Sequence, residues 1–395
     1  VSIIELQASM DALLAADDAR RVLLYPVTVA RRQPVHTVYV PADRFKADTV
    51  SEWGATALAA MNDHGPLPDL AELEPLVRRK LASEPIEDLR VDFEDGYGVR
   101  PDAEEDRDVT AAAAVFDAGG LPPFCGIRIK SLEGPVRARS VRTFALFLQG
   151  LVALPAGFRV TLPKVTSVAQ VAAMVTLCAA LEGDLGLEPG ALRFEIQVET
   201  PQAILGHDGV ALIAPMLHAS AGRCVGVHYG TYDYSASLGI AAQYQSMEHP
   251  AADYAKAVLQ VAAAGTGVAI SDGSTNILPV GDRAAVRAGW SLHARLVQRS
   301  LQRGFYQGWD LHPAQLPTRY AATYKFYLGE MPAAVSRLTR YLEHSSETIL
   351  DEPATARALA GFLLRGLQCG GFDINALAGT GLDLDVLNRL ISTGV

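Results

Sequence analysis

Carboxylates and cations recur at the ends of short apolar runs along this chain of 395 residues. Asp92-Phe93-Glu94-Asp95 closes one run, Arg128 the next, and Lys164 the one after. Glu199 follows, then Gly230-Thr231-Tyr232-Asp233, then Asp272, and finally Asp310 and His312. Two ionised carboxylates held side by side repel each other unless they share a proton or a cation. Oxygen ligands that leave positions for water and substrate suit Mg²⁺, with Mn²⁺ as the alternative. Glu199 and Asp233, at the ends of consecutive runs, are therefore the candidate metal ligands. Arg128 carries a planar fork matched to a substrate carboxylate and is the candidate catalytic cation. Lys164 has two readings, a Schiff-base nucleophile or an ammonium paired with Glu94 or Asp95. His312 also has two, an acid or base or an orienting hydrogen bond at the mouth of the last strand. Glu94, Asp95, Lys164 and His312 are thus the substrate-binding or supporting positions.

These residues need a scaffold that gathers run ends. The runs are His36–Pro41, Leu89–Asp95, Phe124–Lys130, Phe158–Val165, Arg193–Glu199, Arg223–Gly230, Thr266–Gly273 and Phe305–Pro313. Helical patterns lie between them, and strands alternating with helices imply a parallel sheet. Eight such units predict an α/β fold, a (β/α)₈ TIM barrel with its chemistry at the C-terminal ends of the strands. A helical lead-in over Ile3–Ala16 precedes it. The barrel domain is read as residues 1–330, with strands over about 36–313. Residues 331–395 are read as a helical extension acting as a cap or oligomerisation element. Between strands the pattern predicts one helix over Gln202–Ala219. Later it predicts separate helices over Leu316–Leu328 and Pro332–Glu347, divided by the proline.

Composition excludes several classes. A formal net charge of −10 and a pI near 5.4 argue against a nucleic-acid partner. No apolar stretch approaches the roughly 18 to 20 residues of a membrane span, so no membrane partner is expected. Glu5, Asp11, Asp17 and Asp18 make the first 20 residues unlike a signal peptide. Four cysteines without C-x-x-C spacing indicate neither zinc nor a disulfide framework, which fits a cytoplasmic location. G-x-G-x-x-G, G-x-x-x-x-G-K-[ST] and G-x-S-x-G are all absent, so nucleotide-binding and serine-hydrolase readings lose their usual supports.

With these residues in hand, the chain resembles the HpcH/HpaI aldolase and citrate lyase beta-subunit superfamily, relatives of the malyl-CoA lyases. The matching segments include VYVPADR (38–44), VDFEDGYGVRPDAEEDR (91–107), IRIKS (127–131), LPKVTSVAQV (162–171), QVETPQAIL (197–205), GVHYGTYDYSASLG (226–239), ISDG (270–273) and GFYQGWDLHPAQL (304–316). They fall in family order. The resemblance implies a TIM barrel whose Mg²⁺ is held by Glu199 and Asp233, with Arg128 clamping substrate and Glu94 and Asp95 outside the ion. In thioester-using members an Asp of a V-D-x-P segment reaches a neighbouring protomer's site. Ile349-Leu350-Asp351-Glu352-Pro353 is the nearest match, which makes Asp351 a candidate acid or base. Thr166 stands where the family usually places an acidic residue after LPKV, marking a divergent branch. The implied activity is a Mg²⁺-dependent carbon–carbon lyase or aldolase. It would act through an enolate on a small 2-oxo acid or a hydroxyacyl-CoA thioester, in a homo-oligomer. Alternatives are an aldolase of 4-hydroxy-2-oxo acids that uses no CoA, and a metabolite-binding barrel without catalysis. A further alternative, a phosphoenolpyruvate-handling phosphotransferase, lacks a nucleotide signature.

Overall fold

The computed structural model describes residues 2–26, 31–343 and 352–393. Every apolar run contains a strand: β1 (His36–Pro41), β2 (Asp88–Asp92), β3 (Phe124–Arg128), β4 (Phe158–Leu162), β5 (Phe194–Val198), β6 (Cys224–Tyr229), β7 (Ala269–Ser271) and β8 (Gly308–Asp310). All ladders are parallel, in the order β7-β6-β5-β4-β3-β2-β1-β8. Two backbone hydrogen bonds cross the remaining seam. Asp272 N–H donates to the Gln307 carbonyl at 2.9 Å, and Trp309 N–H to that of Gly273 at 3.1 Å. The sheet is thus a (β/α)₈ barrel. Several strands stop short of their runs because the polar ends fold into turns. After β2, the Asp92 carboxylate accepts the N–H groups of Glu94 (2.9 Å) and Gly96 (2.8 Å) and bends the chain over the barrel mouth.

The helices are α1 (Ile3–Leu24), α2 (Thr49–His64), α3 (Glu74–Ser83), α4 (Asp102–Ala118), α5 (Arg137–Gln149), α6 (Val168–Leu185), α7 (Pro201–Ile204), α8 (Ile213–Ala219), α9 (Thr231–Ser237), α10 (Pro250–Ala263), α11 (Arg283–Gln302), α12 (Leu316–Leu342), α13 (Pro353–Gln368) and α14 (Leu384–Thr393). Three differ from the sequence reading. The single helix over 202–219 is split into α7 and α8 around Gly206 and Gly209, the latter at φ +79° where only glycine sits without strain. The division at Pro332 is absent, and α12 runs through it. Beyond the proline, Ala334 and Leu338 are buried, and α12 packs on α13, so tertiary packing outweighs one lost hydrogen bond. The boundary drawn at 330/331 therefore falls inside a continuous helix. The third is α1, which reaches Leu24 rather than Ala16.

Helix α6 is long and apolar enough to cross a membrane by length and composition alone, contrary to the expectation that no stretch came close. Its place in the barrel accounts for this, since it is the crossover from β4 to β5. Val171, Met174, Cys178 and Leu181 form its buried face. Next to Leu181, Glu182 accepts both arms of the Arg223 guanidinium at 2.5 and 2.8 Å, fixing the helix end to the start of β6. Helix α1 is the opposite case. It carries a Ser2/Glu5 capping box but buries none of its residues. The chain rejoins the body just after it, where the Tyr25 ring meets His218 edge-on at 5.6 Å.

Candidate active site

Side chains of the strands alternate between the helical layer and the barrel interior. The inward set is unusually polar. Midway up, Arg90 is fully buried, with Nη2 2.7 Å from Glu195 and Nη1 on Asp88. Arg159 (3.2 Å) and His228 (3.4 Å) also face Glu195. Thr37 donates to Asp88 at 2.9 Å, and the Trp309 indole N–H donates to His228 at 3.0 Å. Arg90 foremost, with the contacts of His228 and Arg159, holds the Glu195 carboxyl well below the usual range against the opposing effect of burial.

One layer higher lies the mouth. Arg128, the last residue of β3, grips Asp92 through Nε and Nη2, each at 2.6 Å, and lies over the Tyr39 ring at 4.6 Å. Its third nitrogen, Nη1, is 3.5 Å from both Gln197 and Glu94. The fork assigned to a substrate carboxylate is therefore engaged by Asp92, and the Nη1 edge is what remains toward the mouth. Asp92 was not among the sequence candidates. Strand parity was the signal that could have found it, since Asp88, Arg90 and Asp92 share the inward face of β2.

Glu199 follows β5 and is 2% exposed. Its Oε1 accepts the Lys164 N–H at 2.8 Å. Its other side rests on Gly230, where a Cβ would stand 2.5 Å from Glu199 Cβ and 2.7 Å from Oε2. Only glycine at 230 leaves that carboxylate its place. Asp233 sits in the first turn of α9, directly after Gly230. Burial pushes the Glu199 carboxyl up to about 8, with Arg128 opposing and the charges of Asp233 and Glu94 adding to the rise. Asp233 is also raised by burial; Lys164 and Arg128 oppose, while Asp95 adds through its charge and a hydrogen bond. Among the described residues neither Glu199 nor Asp233 forms an ion pair.

The Lys164 ammonium bridges Glu94 (2.5 Å) and Asp95 (2.7 Å). Burial would lower its pKa, but those two carboxylates raise it overall. A protonated, doubly paired amine is a poor nucleophile, so the geometry favours the ion-pair reading over the Schiff base. His312 caps the turn after β8, its Nδ1 accepting the Ala314 N–H at 3.1 Å, and burial lowers its pKa. That is the orienting role of the two considered. Asp351 lies outside the described residues.

Among the described residues no three or more His, Cys, Asp or Glu side chains form a ready-made metal cage. Two carboxylates beside a glycine cradle still fit Mg²⁺, which commonly takes one or two protein carboxylates and completes its shell with water and substrate oxygens. Beside α9 a cavity of about 330 Å³ is lined by Tyr232, Gln245, Ser246, Thr275 and Ile277 among others, all uncharged.

Comparison with solved structures places this barrel among known ones. A citrate lyase from Burkholderia xenovorans LB400 superposes with a TM-score of 0.60 at 19% identity, over 90% of this chain and 98% of that one. Haloferax volcanii malate synthase, as its magnesium/glyoxylate complex, gives 0.52 at 14% identity, over 91% and 98%. The protein CitE from Mycobacterium tuberculosis, in complex with magnesium, acetoacetate and coenzyme A, gives 0.50 at 18% identity, over 88% and 100%. At these identities the likeness is one of fold, and it falls on the superfamily that the motifs resemble. No curated protein matches by sequence. Residues 14–393 match the model of a domain of unknown function, DUF6986, and the chain belongs to that family.

Proposed function

We propose that this protein is a Mg²⁺-dependent enzyme that makes or breaks a carbon–carbon bond through the enolate of a small 2-oxo acid or acyl thioester. The observation that carries the reading is the pair Glu199 and Asp233, which form no ion pair among the described residues, with Glu199 set against the Gly230 cradle at the barrel mouth. Fold neighbours that bind magnesium with glyoxylate, or magnesium with acetoacetate and coenzyme A, support it. Glu199 and Asp233 would hold the ion. When bound, Mg²⁺ supplies Lewis-acid stabilisation of charge on a substrate oxygen, commonly worth several kcal/mol.

The chain's own residues supply the rest. Arg128 is fixed by Asp92 and Tyr39, so its Nη1 presents positive charge without needing to reorganise. Lys164 keeps Glu94 and Asp95 at the rim. Asp351 is the candidate for moving a proton, acting from a neighbouring copy as the sequence resemblance implies.

Exchange of the pyruvate methyl protons with deuterated water, followed by NMR, tests enolisation without knowledge of the acceptor. The expected result is exchange that requires Mg²⁺ and is abolished by EDTA or by Glu199→Gln. Full exchange in EDTA contradicts the reading. So does the absence of exchange with pyruvate, oxaloacetate and acetyl-CoA alike.

A further inference from the structure

Lys164 serves the mouth carboxylates twice. Its backbone N–H donates to Glu199 at 2.8 Å, and its ammonium bridges Glu94 and Asp95 at 2.5 and 2.7 Å. The residue adopts φ +51°, a left-handed conformation that an L side chain occupies at a cost. That backbone turn lets one residue address both sides of the cluster. Asp95 and Lys164 both act on Asp233 through their charges, so the ammonium is electrostatically linked to one of the two candidate ligands.

Charge gives this arrangement its consequence. Asp92, Glu94, Asp95, Glu199 and Asp233 face two cationic side chains, Arg128 and Lys164. Arg128 is committed to Asp92 by two hydrogen bonds. Lys164 is a flexible point charge on a long stem, and it can swing where a planar fork in a fixed grip cannot.

We propose that Lys164 is the internal counter-cation of this mouth: its ammonium competes with a divalent ion for the shared carboxylate cluster and sets the affinity at which Glu199 and Asp233 take that ion. The inference rests on the metal reading above and adds what tunes it. Binding the ion releases Asp95 and Glu94 from part of their hold on the ammonium. Conversely, the ammonium keeps the cluster from binding any passing cation tightly. A unit positive charge several ångströms from a divalent ion in a partly buried site weakens binding by roughly tenfold or more.

The test is a Mn²⁺ titration of the full chain, read by electron paramagnetic resonance, with far-UV circular dichroism to verify folding. Lys164→Met should bind Mn²⁺ roughly tenfold more tightly than wild type. Lys164→Gln should shift the same way and serves should the methionine variant fail to fold. Lys164→Arg, which keeps the charge, should stay near wild type. If wild type binds Mn²⁺ and the neutral variants bind equally or more weakly, the counter-cation role is wrong while the metal site stands. If wild type takes up no Mn²⁺, the metal reading and this inference fall together.

Discussion

One barrel interior holds two charged layers, and they are built on opposite terms. In the middle layer the buried acids Asp88 and Glu195 meet Arg90, with Arg159 and His228 also facing Glu195. The result is an acid held well below its ordinary pKa. At the mouth, Glu199, Asp233 and Glu94 are all pushed up, because burial and mutual repulsion exceed what Arg128 and Lys164 offset. Compensated charge of the first kind serves to hold a structure in register. Carboxylates left short of cations, at the functional end of a barrel, are where the proposed metal site lies.

The contrast breaks first where compensation is removed. Arg90→Met leaves Asp88 and Glu195 facing each other in the barrel interior. It should destabilise the protein by about 3–5 kcal/mol in urea unfolding. A variant as stable as wild type would mean that the middle layer is not the structural one.

A smaller effect sharpens the comparison through pH, in metal-free protein. Glu199 has its pKa raised to about 8 in the folded state from an ordinary 4.5. Its contribution to stability is therefore full below pH 4.5 and is lost progressively as pH rises toward 8. Glu199→Gln has no such loss, so its stability relative to wild type should climb across that window, by no more than about 1.4 kcal/mol per pH unit. Glu182 runs the other way. Arg223 pulls its carboxyl down to about 2, so its stabilisation is present above the ordinary carboxylate range and fades as pH falls toward 2. A Glu199→Gln difference that stays flat with pH would contradict the burial argument.

The smallest effect belongs to α1, which buries nothing. Removing residues 2–24 should change the stability of the isolated chain by no more than about 0.5 kcal/mol in the same unfolding assay.

Much of this was legible in the chain. Short apolar runs ending in charges suffice to place all eight strands, because a barrel strand is brief and its polar end must turn out of the sheet. The places of Glu199 and Asp233, just beyond the ends of adjacent strands, were legible for the same reason. The grip of Asp92 on Arg128 was not. Three acids lie within four residues there, and only strand parity separates the inward Asp92 from the rim pair Glu94 and Asp95. Lys164 could be read as a partner of Glu94 or Asp95. That it holds both while its N–H holds Glu199 depends on a left-handed φ that no residue type announces. Pro332 misled because local propensity is weaker than the packing of α12 on α13.

The proposed function requires Glu199 and Asp233 together to grip one divalent ion. Isothermal titration of Mg²⁺, with pyruvate present, into wild type, Glu199→Gln and Asp233→Asn tests it most directly. One site per wild-type chain is expected, lost in either variant with folding retained. Undiminished binding in both variants would contradict it.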